Sequence, residues 1–152
     1  MLVTVADDGR SRVLDLRNGR RLRTMRFPSS ATRVAASTDG RVVITVDGSF
    51  SNRGVIRLSH VDVGMGEQTI SDESVSCLAL TPAGDLLLTG SDHEVRLWDV
   101  RTGDLLCDLE GGHTAPVFGV ALSADGCHAV SADVDGTVQC WDVDWEYTRP
   151  PQ

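Results

Sequence analysis

An internal repeat constrains this chain more than any other feature of its sequence. Four copies can be aligned on a closing dipeptide, which falls at 14–15, 59–60, 98–99 and 141–142, so that the intervals are 45, 39 and 43 residues. A nearly fixed period of this length is the signature of a repeat architecture in which each copy forms one supersecondary unit. The chain is therefore predicted to contain four similar units in a row.

Within each copy, short β-favouring runs alternate with turn residues. The last copy shows the pattern best, with runs at 117–122, 128–132 and 137–142. Glycines recur at two turns of the copies, namely Gly40, Gly84 and Gly126 between the first two runs and Gly19, Gly64 and Gly103 after the closing dipeptide. Glycine suits these places because a tight turn needs a positive φ angle, which a β-carbon resists. Turns this short allow only hairpins, so each sheet is predicted to be antiparallel.

The repeat resembles that of the WD-repeat β-propeller family, and the resemblance covers nearly the whole chain. The intervals fall on or near the roughly 40 to 45 residues of a four-stranded propeller blade. The match is most specific in the last copy, where Gly112 and His113 open the repeat and Trp141 and Asp142 close it. The resemblance implies an all-β fold, a partial WD-repeat propeller of about four blades of antiparallel sheet.

The resemblance also implies a buried hydrogen-bond relay in the last copy, formed by His113, Ser131, Asp135 and Trp141. An imidazole can donate from one nitrogen while it accepts on the other, whereas an indole only donates. A closed chain of donors and acceptors is cheap to bury. The third copy keeps a partial relay of Thr89, Asp92 and Trp98 with Ser71 in the histidine position, and the first two copies have Leu14 and Ser59 in place of the tryptophan.

The propeller arc is predicted to occupy residues 1–147, with blades at about 1–27, 28–70, 71–110 and 111–147 and a tail at 148–152. The first blade lacks its inner strand, and the outer strand of the last blade is predicted at 145–147. The second blade carries a longer loop at 47–53, and propellers tend to bind other molecules through loops of this kind. The alternative is a solvated loop whose Phe50 folds back on the blade.

An open arc poses a mechanical problem, because it leaves apolar faces and strand edges in water. Residues 1–26 carry 7 arginines and 3 aspartates, whereas residues 111–152 carry 1 arginine and 6 acidic residues. Opposite charges at the two ends favour head-to-tail association. A homodimer of about eight blades, or pairing with a complementary half-propeller, is therefore one hypothesis. A surface that is merely patchy and a fragment of a longer protein are the others.

The predicted function is a non-catalytic scaffold for protein–protein interaction, because a propeller presents rigid loops around a rim. The fold does not identify the partner. The stretch at 141–147 resembles the terminal blade of bacterial WD-repeat arrays, which are often fused behind a signalling NTPase or a protein kinase domain. This implies a bacterial signalling or regulatory assembly. A fragment of such an array without independent function is one alternative, and a propeller hydrolase is another.

Composition argues against several other functional classes. The net charge of −8 disfavours nucleic acid as a partner, because phosphate neutralisation needs clustered basic residues. No stretch approaches the roughly 20 apolar residues that span a bilayer, and the first residues lack a signal-peptide pattern. We therefore expect a cytoplasmic protein without membrane contact. Neither a metal, a cofactor nor a catalytic residue is expected, since no zinc-like spacing connects the cysteines at Cys77, Cys107, Cys127 and Cys140.

Overall fold

The computed structural model describes residues 2–6, 10–26, 31–47, 55–60, 68–71 and 75–143. Within these ranges the chain forms fourteen strands: β1 Leu2–Ala6, β2 Arg10–Leu14, β3 Arg21–Arg26, β4 Ala31–Ala36, β5 Val42–Asp47, β6 Val55–His60, β7 Gln68–Ser71, β8 Cys77–Leu80, β9 Leu86–Ser91, β10 Glu94–Asp99, β11 Leu105–Asp108, β12 Val117–Leu122, β13 His128–Asp133 and β14 Val138–Asp142. They form four sheets, which we call blades one to four, in the orders β1-β2-β3, β4-β5-β6-β7, β8-β9-β10-β11 and β12-β13-β14. Neighbouring strands pair antiparallel throughout these sheets. The described chain is all-β and forms an arc of four antiparallel sheets, as the sequence predicts.

Blade one starts one strand later than the blades that follow it. In β1, Thr4 pairs with Arg12 of β2, just as Thr89 of β9 pairs with Arg96 of β10. Because Thr89 lies on the second strand of blade three, β1 corresponds to a second strand and β2 to a third. The described part of blade one therefore contains no equivalent of the inner strands β4, β8 and β12.

Some predicted features lie outside the described residues. They are the outer strand at 145–147, the tail at 148–152, the turn glycine Gly64 and the part of the loop after residue 47 that includes Phe50. The other predicted turn glycines, Gly19, Gly40, Gly84, Gly103 and Gly126, have φ angles between 69° and 80°. The positive φ predicted for these five positions is confirmed.

Apolar side chains fill the space between blades two and three. Alternate residues of a strand point to opposite faces of its sheet, so a strand buried on both faces is apolar at successive positions. Ile44, Ile56 and Leu58 of blade two form one cluster with Leu87 and Trp98 of blade three. All five side chains are buried. The cluster joins the two sheets into one packed unit.

The opposite face of blade three packs against blade four. Leu88, Val95 and Leu97 of blade three lie in a second cluster with Val117 and Ala129 of blade four. The neighbouring leucine at position 87 belongs to the other interface, so β9 is apolar on both faces because each face meets a different sheet. Blade three thus turns one apolar face to blade two and the other to blade four.

Hydrogen bonds also connect the blades along their inner strands. Arg33 Nε of β4 donates to the carbonyl oxygen of Ser76, at the start of β8, over 2.8 Å. The Ser76 hydroxyl in turn donates to the carbonyl oxygen of Val117 in β12. The Val117 N–H donates to the carbonyl oxygen of Asp92 in blade three at 2.9 Å. The inner strands of blades two, three and four are therefore joined by polar contacts as well as by apolar ones.

Substitution of Gly90 tests how tightly blades three and four pack. A β-carbon at Gly90 would lie 2.6 Å from Cys77 Sγ and 2.8 Å from Val117 Cγ1. We expect Gly90→Ala to lower the free energy of unfolding by about 1–3 kcal/mol, because the two sheets must separate to admit the methyl group. Gly119→Ala is the matched control, since no heavy atom lies within 4 Å of the β-carbon position at Gly119. Urea unfolding of the two variants measures the difference, and equal losses would contradict tight packing at Gly90.

Candidate functional site

A polar position recurs in the strand register of every blade. A hydroxyl residue on the second strand pairs with an arginine or glutamine on the third, and the pairs are Thr4 with Arg12, Thr45 with Arg57, Thr89 with Arg96 and Ser131 with Gln139. The residue two positions later on the third strand differs between blades: Leu14, Ser59, Trp98 and Trp141. A tryptophan at this second position can donate its indole N–H to the hydroxyl oxygen, whereas a leucine cannot. The residue at this position therefore determines whether the hydroxyl has an indole partner.

In blade four, four buried or half-buried side chains form a continuous relay. Trp141 Nε1 donates to Ser131 Oγ at 2.8 Å. His113 Nε2 lies 2.6 Å from the same hydroxyl oxygen, and His113 Nδ1 lies 2.8 Å from Asp133 Oδ2. An ionised carboxylate only accepts, so Nδ1–H donates to Asp133, and the Nε2 of a neutral imidazole accepts the Ser131 hydroxyl proton. Every member therefore has a partner, and the histidine tautomer follows from the carboxylate.

The acid of this relay is Asp133, and the prediction of Asp135 was wrong. Asp135 is exposed in the turn after β13, and its backbone N–H donates to Asp133 Oδ1 at 3.1 Å. Ser131 and Asp133 are two residues apart on one strand, so their side chains point to the same face of the sheet. Asp135 lies beyond the strand end. The structure brings together the other three predicted residues, His113, Ser131 and Trp141.

Asp133 is held in its charged form by the groups around it. The hydrogen bond from His113 is the largest cause that lowers the pKa of Asp133 below its ordinary value, and the backbone N–H groups of Thr137 and Asp135 add to it. Burial opposes the shift, since it disfavours a charge. The Thr137 N–H donates to Oδ1 at 2.9 Å, so both carboxylate oxygens are used.

The lowered pKa of Asp133 predicts a pH dependence of stability. A carboxylate whose folded-state pKa is depressed stabilises the fold above its unfolded pKa of about 3.9, and that stability is lost as the pH falls through the folded-state value. We therefore expect Asp133→Asn to cost most above about pH 5, with the difference from wild type shrinking below about pH 4. Urea unfolding at a series of pH values, from above about pH 5 to below about pH 4, measures the difference. Exposed Asp135→Asn is the control, and a pH-independent cost of Asp133→Asn would contradict the assignment.

Blade three keeps the tryptophan–hydroxyl pair of the relay. Trp98 Nε1 donates to Thr89 Oγ1 at 2.9 Å, and both side chains are buried. Asp92 is not part of this arrangement, contrary to the prediction, because it is exposed in the turn after β9. Ser91, which is buried, takes the place that Asp133 has in blade four. The side chain of Ser71, the residue at the histidine position, lies outside the described part of the chain.

Blade two has no tryptophan at the closing position, and two of its buried hydroxyl groups have no hydrogen-bond partner among the described residues. Thr45 and Ser59 are both buried. Among the described residues, neither Thr45 Oγ1 nor Ser59 Oγ has a hydrogen-bond partner. A buried hydroxyl without a partner costs free energy, because it loses its bonds to water on folding. The replacement of tryptophan by Ser59 therefore leaves this blade with an uncompensated polar site.

Two substitutions at equivalent positions are expected to have opposite signs. Thr45→Val should raise the free energy of unfolding by about 1 kcal/mol, because it removes a buried hydroxyl that bonds nothing. Thr89→Val should lower it by about 1–3 kcal/mol, because the buried indole N–H of Trp98 then loses its acceptor. Urea unfolding of both variants checks the prediction. A stabilising Thr89→Val, or a Thr45→Val as harmful as Thr89→Val, would contradict it.

In blades three and four, the arginine or glutamine paired with the hydroxyl residue bonds groups of its own blade. Arg96 Nε lies 2.9 Å from Asp108 Oδ1, and Arg96 Nη2 lies 2.6 Å from Glu94 Oε2. In blade four, Gln139 Nε2 donates to the carbonyl oxygen of Gly112 at 2.8 Å. The bond from Gln139 holds the segment that carries His113 against β14. In these two blades, the position therefore joins neighbouring segments of the same blade.

Within the described ranges, no group of three or more histidine, cysteine, aspartate or glutamate side chains is arranged to hold a metal ion. The four cysteines are free thiols, of which Cys77 is buried and Cys127 and Cys140 are exposed. Burial raises the pKa of the Cys77 thiol, which makes it less reactive. The described residues include no helix long and apolar enough to cross a membrane.

The comparisons with known proteins agree with this architecture. Residues 67–99 and 103–142 match the family model described as WD domain, G-beta repeat. The chain is 26% identical over 157 aligned residues to eukaryotic translation initiation factor 3 subunit I of Drosophila ananassae, an alignment that covers 93% of this chain and 47% of the relative. It is 37% identical over 70 residues to the periodic tryptophan protein 2 homolog of Schizosaccharomyces pombe, covering 45% of this chain and 8% of that protein.

A third relative is WD repeat-containing protein 1 of Bos taurus, 35% identical over 80 residues, which cover 49% of this chain and 13% of the relative. The chain thus spans about half the length of the Drosophila ananassae protein and a small part of the other two. The two matched repeats run from β7 to β10 and from β11 to β14, and each ends at a closing tryptophan that donates to a hydroxyl. The repeat period, the sheet order and these matches agree, and the chain belongs to the WD-repeat family.

Proposed function

We propose that this chain is a non-catalytic scaffold that binds other proteins through the loop end of its blades. The observation that carries the proposal is an apolar patch on blade four, formed by Pro116, Phe118 and Val134, which we call the rim patch. Phe118 is 60% exposed and Val134 is 61% exposed. The Val134 N–H donates to the carbonyl oxygen of Pro116 at 3.0 Å, which holds the turn after β13 against the start of β12. An exposed aromatic on a rigid strand is typical of an interface anchor.

The hydrogen bonds of the buried His113 support a non-catalytic role. Both ring nitrogens of His113 are bonded inside blade four, to Ser131 and Asp133. A general base needs a nitrogen or oxygen within reach of a substrate proton, and this imidazole offers none while the relay is closed. Among the relatives, the Drosophila ananassae protein is named as a subunit of a translation initiation factor, which agrees with a chain that works in an assembly.

Capture of a partner from cells of the natural source tests the scaffold. A tagged wild-type chain should retain a protein in stoichiometric amount, and Phe118→Ala should weaken its retention at least tenfold, about 1.4 kcal/mol of binding. Leu16→Ala is the matched control, because Leu16 is an exposed leucine in the turn after β2 of blade one. Equal retention by wild type, Phe118→Ala and Val134→Asp would contradict the rim patch. Capture of no protein at all would contradict the scaffold.

The cellular setting belongs to the same proposal. We place the chain in the cytoplasm, in a bacterial signalling or regulatory assembly, on the resemblance of residues 141–147 to the ends of bacterial WD-repeat arrays. The three relatives named above are eukaryotic, so the setting depends on the captured partner. A signalling NTPase or a protein kinase would support it, and a ribosomal or initiation-factor partner would contradict it. Neither nucleic acid nor membrane is proposed as a partner.

The extent of the arc, residues 1–147 with a tail at 148–152, is also proposed.

A second candidate function is a section of a longer WD-repeat array linked to an NTPase or a kinase. The observation that favours it is that the chain covers only 47% of the Drosophila ananassae relative. An antibody against this chain, applied to an extract of its natural source, distinguishes the two. A band at the mass of 152 residues supports the independent scaffold, and a much larger band supports the array.

We further propose that the arc pairs with a second arc, either another copy of this chain or a complementary half-propeller. The support is the contrast of charge between residues 1–26 and residues 111–152 noted above. Complementary charges guide encounter and register more than they add affinity.

A further inference from the structure

One face of blade four is apolar and exposed. Ala121 pairs with Val130, and Val130 pairs with Cys140, so these side chains form a row across β12, β13 and β14. Val138 lies in the adjacent row, opposite Ala132. Val130 is 40% exposed and Val138 is 63% exposed. We call the side chains of Ala121, Val130, Val138 and Cys140 the open face.

The positions of the open face are buried in the preceding blades. Strand pairing gives the equivalent positions in blade three, because Val130 pairs with Cys140 just as Leu88 pairs with Leu97. Val138, two residues before Cys140, likewise corresponds to Val95. Leu88 and Leu97 are 0% exposed and Val95 is 1% exposed, because blade four covers them. The open face therefore has the register and chemistry of a surface that receives the next blade.

The far end of the arc presents the opposite kind of face. In blade one, Leu2 pairs with Leu14, and the equivalent pair in blade three is Leu87 with Trp98. Leu87 and Trp98 are buried against blade two, whereas Leu2 is 43% exposed and Leu14 is half-buried. We call the side chains of Leu2, Thr4 and Leu14 the leading face, since this is the side that a blade turns to the one before it.

We propose that the open face of one copy of this chain receives the leading face of a second copy, so that two copies close a ring head to tail. This deepens the proposed function, on which it rests, by naming the second arc and its two surfaces. In each copy the same two types of face already pack between blades two and three and between blades three and four. Two identical contacts related by a two-fold axis then leave neither face in water.

Charge and length favour a second copy over an unrelated partner. Described arginines of blade one, Arg10, Arg12, Arg17, Arg20, Arg21 and Arg23, would lie beside described acidic residues of blade four, Asp125, Asp135 and Asp142. A single copy covers 47% of the Drosophila ananassae relative, so two copies supply about one relative's length of repeats. The ring would have about eight blades, within the usual range of four to eight for propellers.

Complementation between two variants tests the proposed ring. Val138→Asp places a charge on the open face, and Leu2→Asp places one on the leading face. Each variant alone should run at the mass of one chain in size exclusion with light scattering, because both of its contacts contain the damaged face. An equal mixture should recover a species of twice the mass, since one contact of the mixed pair then joins two intact faces. Leu105→Asp, on the outer strand β11, is the control and should stay dimeric.

The wild-type chain should have twice the chain mass over a wide range of concentrations and should dissociate more readily at high salt, where charges are screened. A monomeric wild type would overturn the ring. So would a Leu2→Asp variant that remains dimeric while Val138→Asp does not, because open faces would then pair with each other. Circular dichroism confirms that each monomeric variant is folded. Light scattering of the isolated chain tests the ring alone, whereas partner capture through the rim patch tests the scaffold, so the two can fail separately.

Discussion

Replacement of His113 by alanine is expected to lower the free energy of unfolding by about 3–5 kcal/mol, because it leaves the buried charge of Asp133 without its side-chain partner. Asp133 Oδ1 keeps the backbone N–H groups of Asp135 and Thr137, but Oδ2 loses its donor. The hydroxyl of Ser131 loses its acceptor as well. Such a loss is a large part of the roughly 5–15 kcal/mol of a typical domain. Urea unfolding in the cold, followed by tryptophan fluorescence, measures it.

The same substitution in an Asp133→Asn background separates charge from volume. Asparagine keeps the shape of the side chain but carries no charge, so the loss of His113 there should cost mainly the packing of the ring. We expect a coupling of about 1–3 kcal/mol between the two positions. An equal cost of His113→Ala in both backgrounds would show that the relay does not act through the charge of Asp133.

The position of the relay acid shows where sequence reasoning fails. The run predicted at 128–132 stops one residue short of the observed strand, which ends at Asp133. Taken as the first residue of a turn, Asp133 has no assigned face, and the next aspartate at 135 looks equally suitable. Once Asp133 belongs to the strand, alternation places it on the face of Ser131. The signal was present in the sequence, but it depended on a strand boundary, which local propensity sets poorly.

The strands and turns themselves were predictable because their causes are local. β12 has the predicted bounds of 117–122, since an apolar run and turn residues within a few positions define it. The unpaired hydroxyls of Thr45 and Ser59 have a different origin. The sequence shows that Ser59 replaces a tryptophan, but whether another group bonds Thr45 depends on how the neighbouring elements pack. No window of the sequence contains that information.

Blades two and four are stabilised in different ways, blade two by larger apolar side chains and blade four by a hydrogen-bond relay. Blade four uses a relay of four side chains and has the smaller Val130 and Cys140 on its next-facing side, where blade two has Ile44 and Leu58 and no relay. Larger apolar side chains bury more surface and so stabilise the fold without polar partners. The apolar face of blade two is covered by blade three, whereas the smaller open face of blade four is exposed in a single copy.

Leu88→Ala and Val130→Ala truncate equivalent positions of blades three and four, and their effects are expected to differ. Leu88 is fully buried between two sheets, so its truncation should lower the free energy of unfolding by about 2–5 kcal/mol at any protein concentration. Val130 is partly exposed in a single copy. In dilute solution, Val130→Ala should therefore change the free energy of unfolding by less than about 0.5 kcal/mol. Association stabilises the folded state by mass action. If the open face is covered in the ring, the cost of Val130→Ala should rise as the wild type becomes dimeric, while that of Leu88→Ala stays constant. A Val130→Ala cost that is independent of concentration would contradict burial of the open face by a second copy.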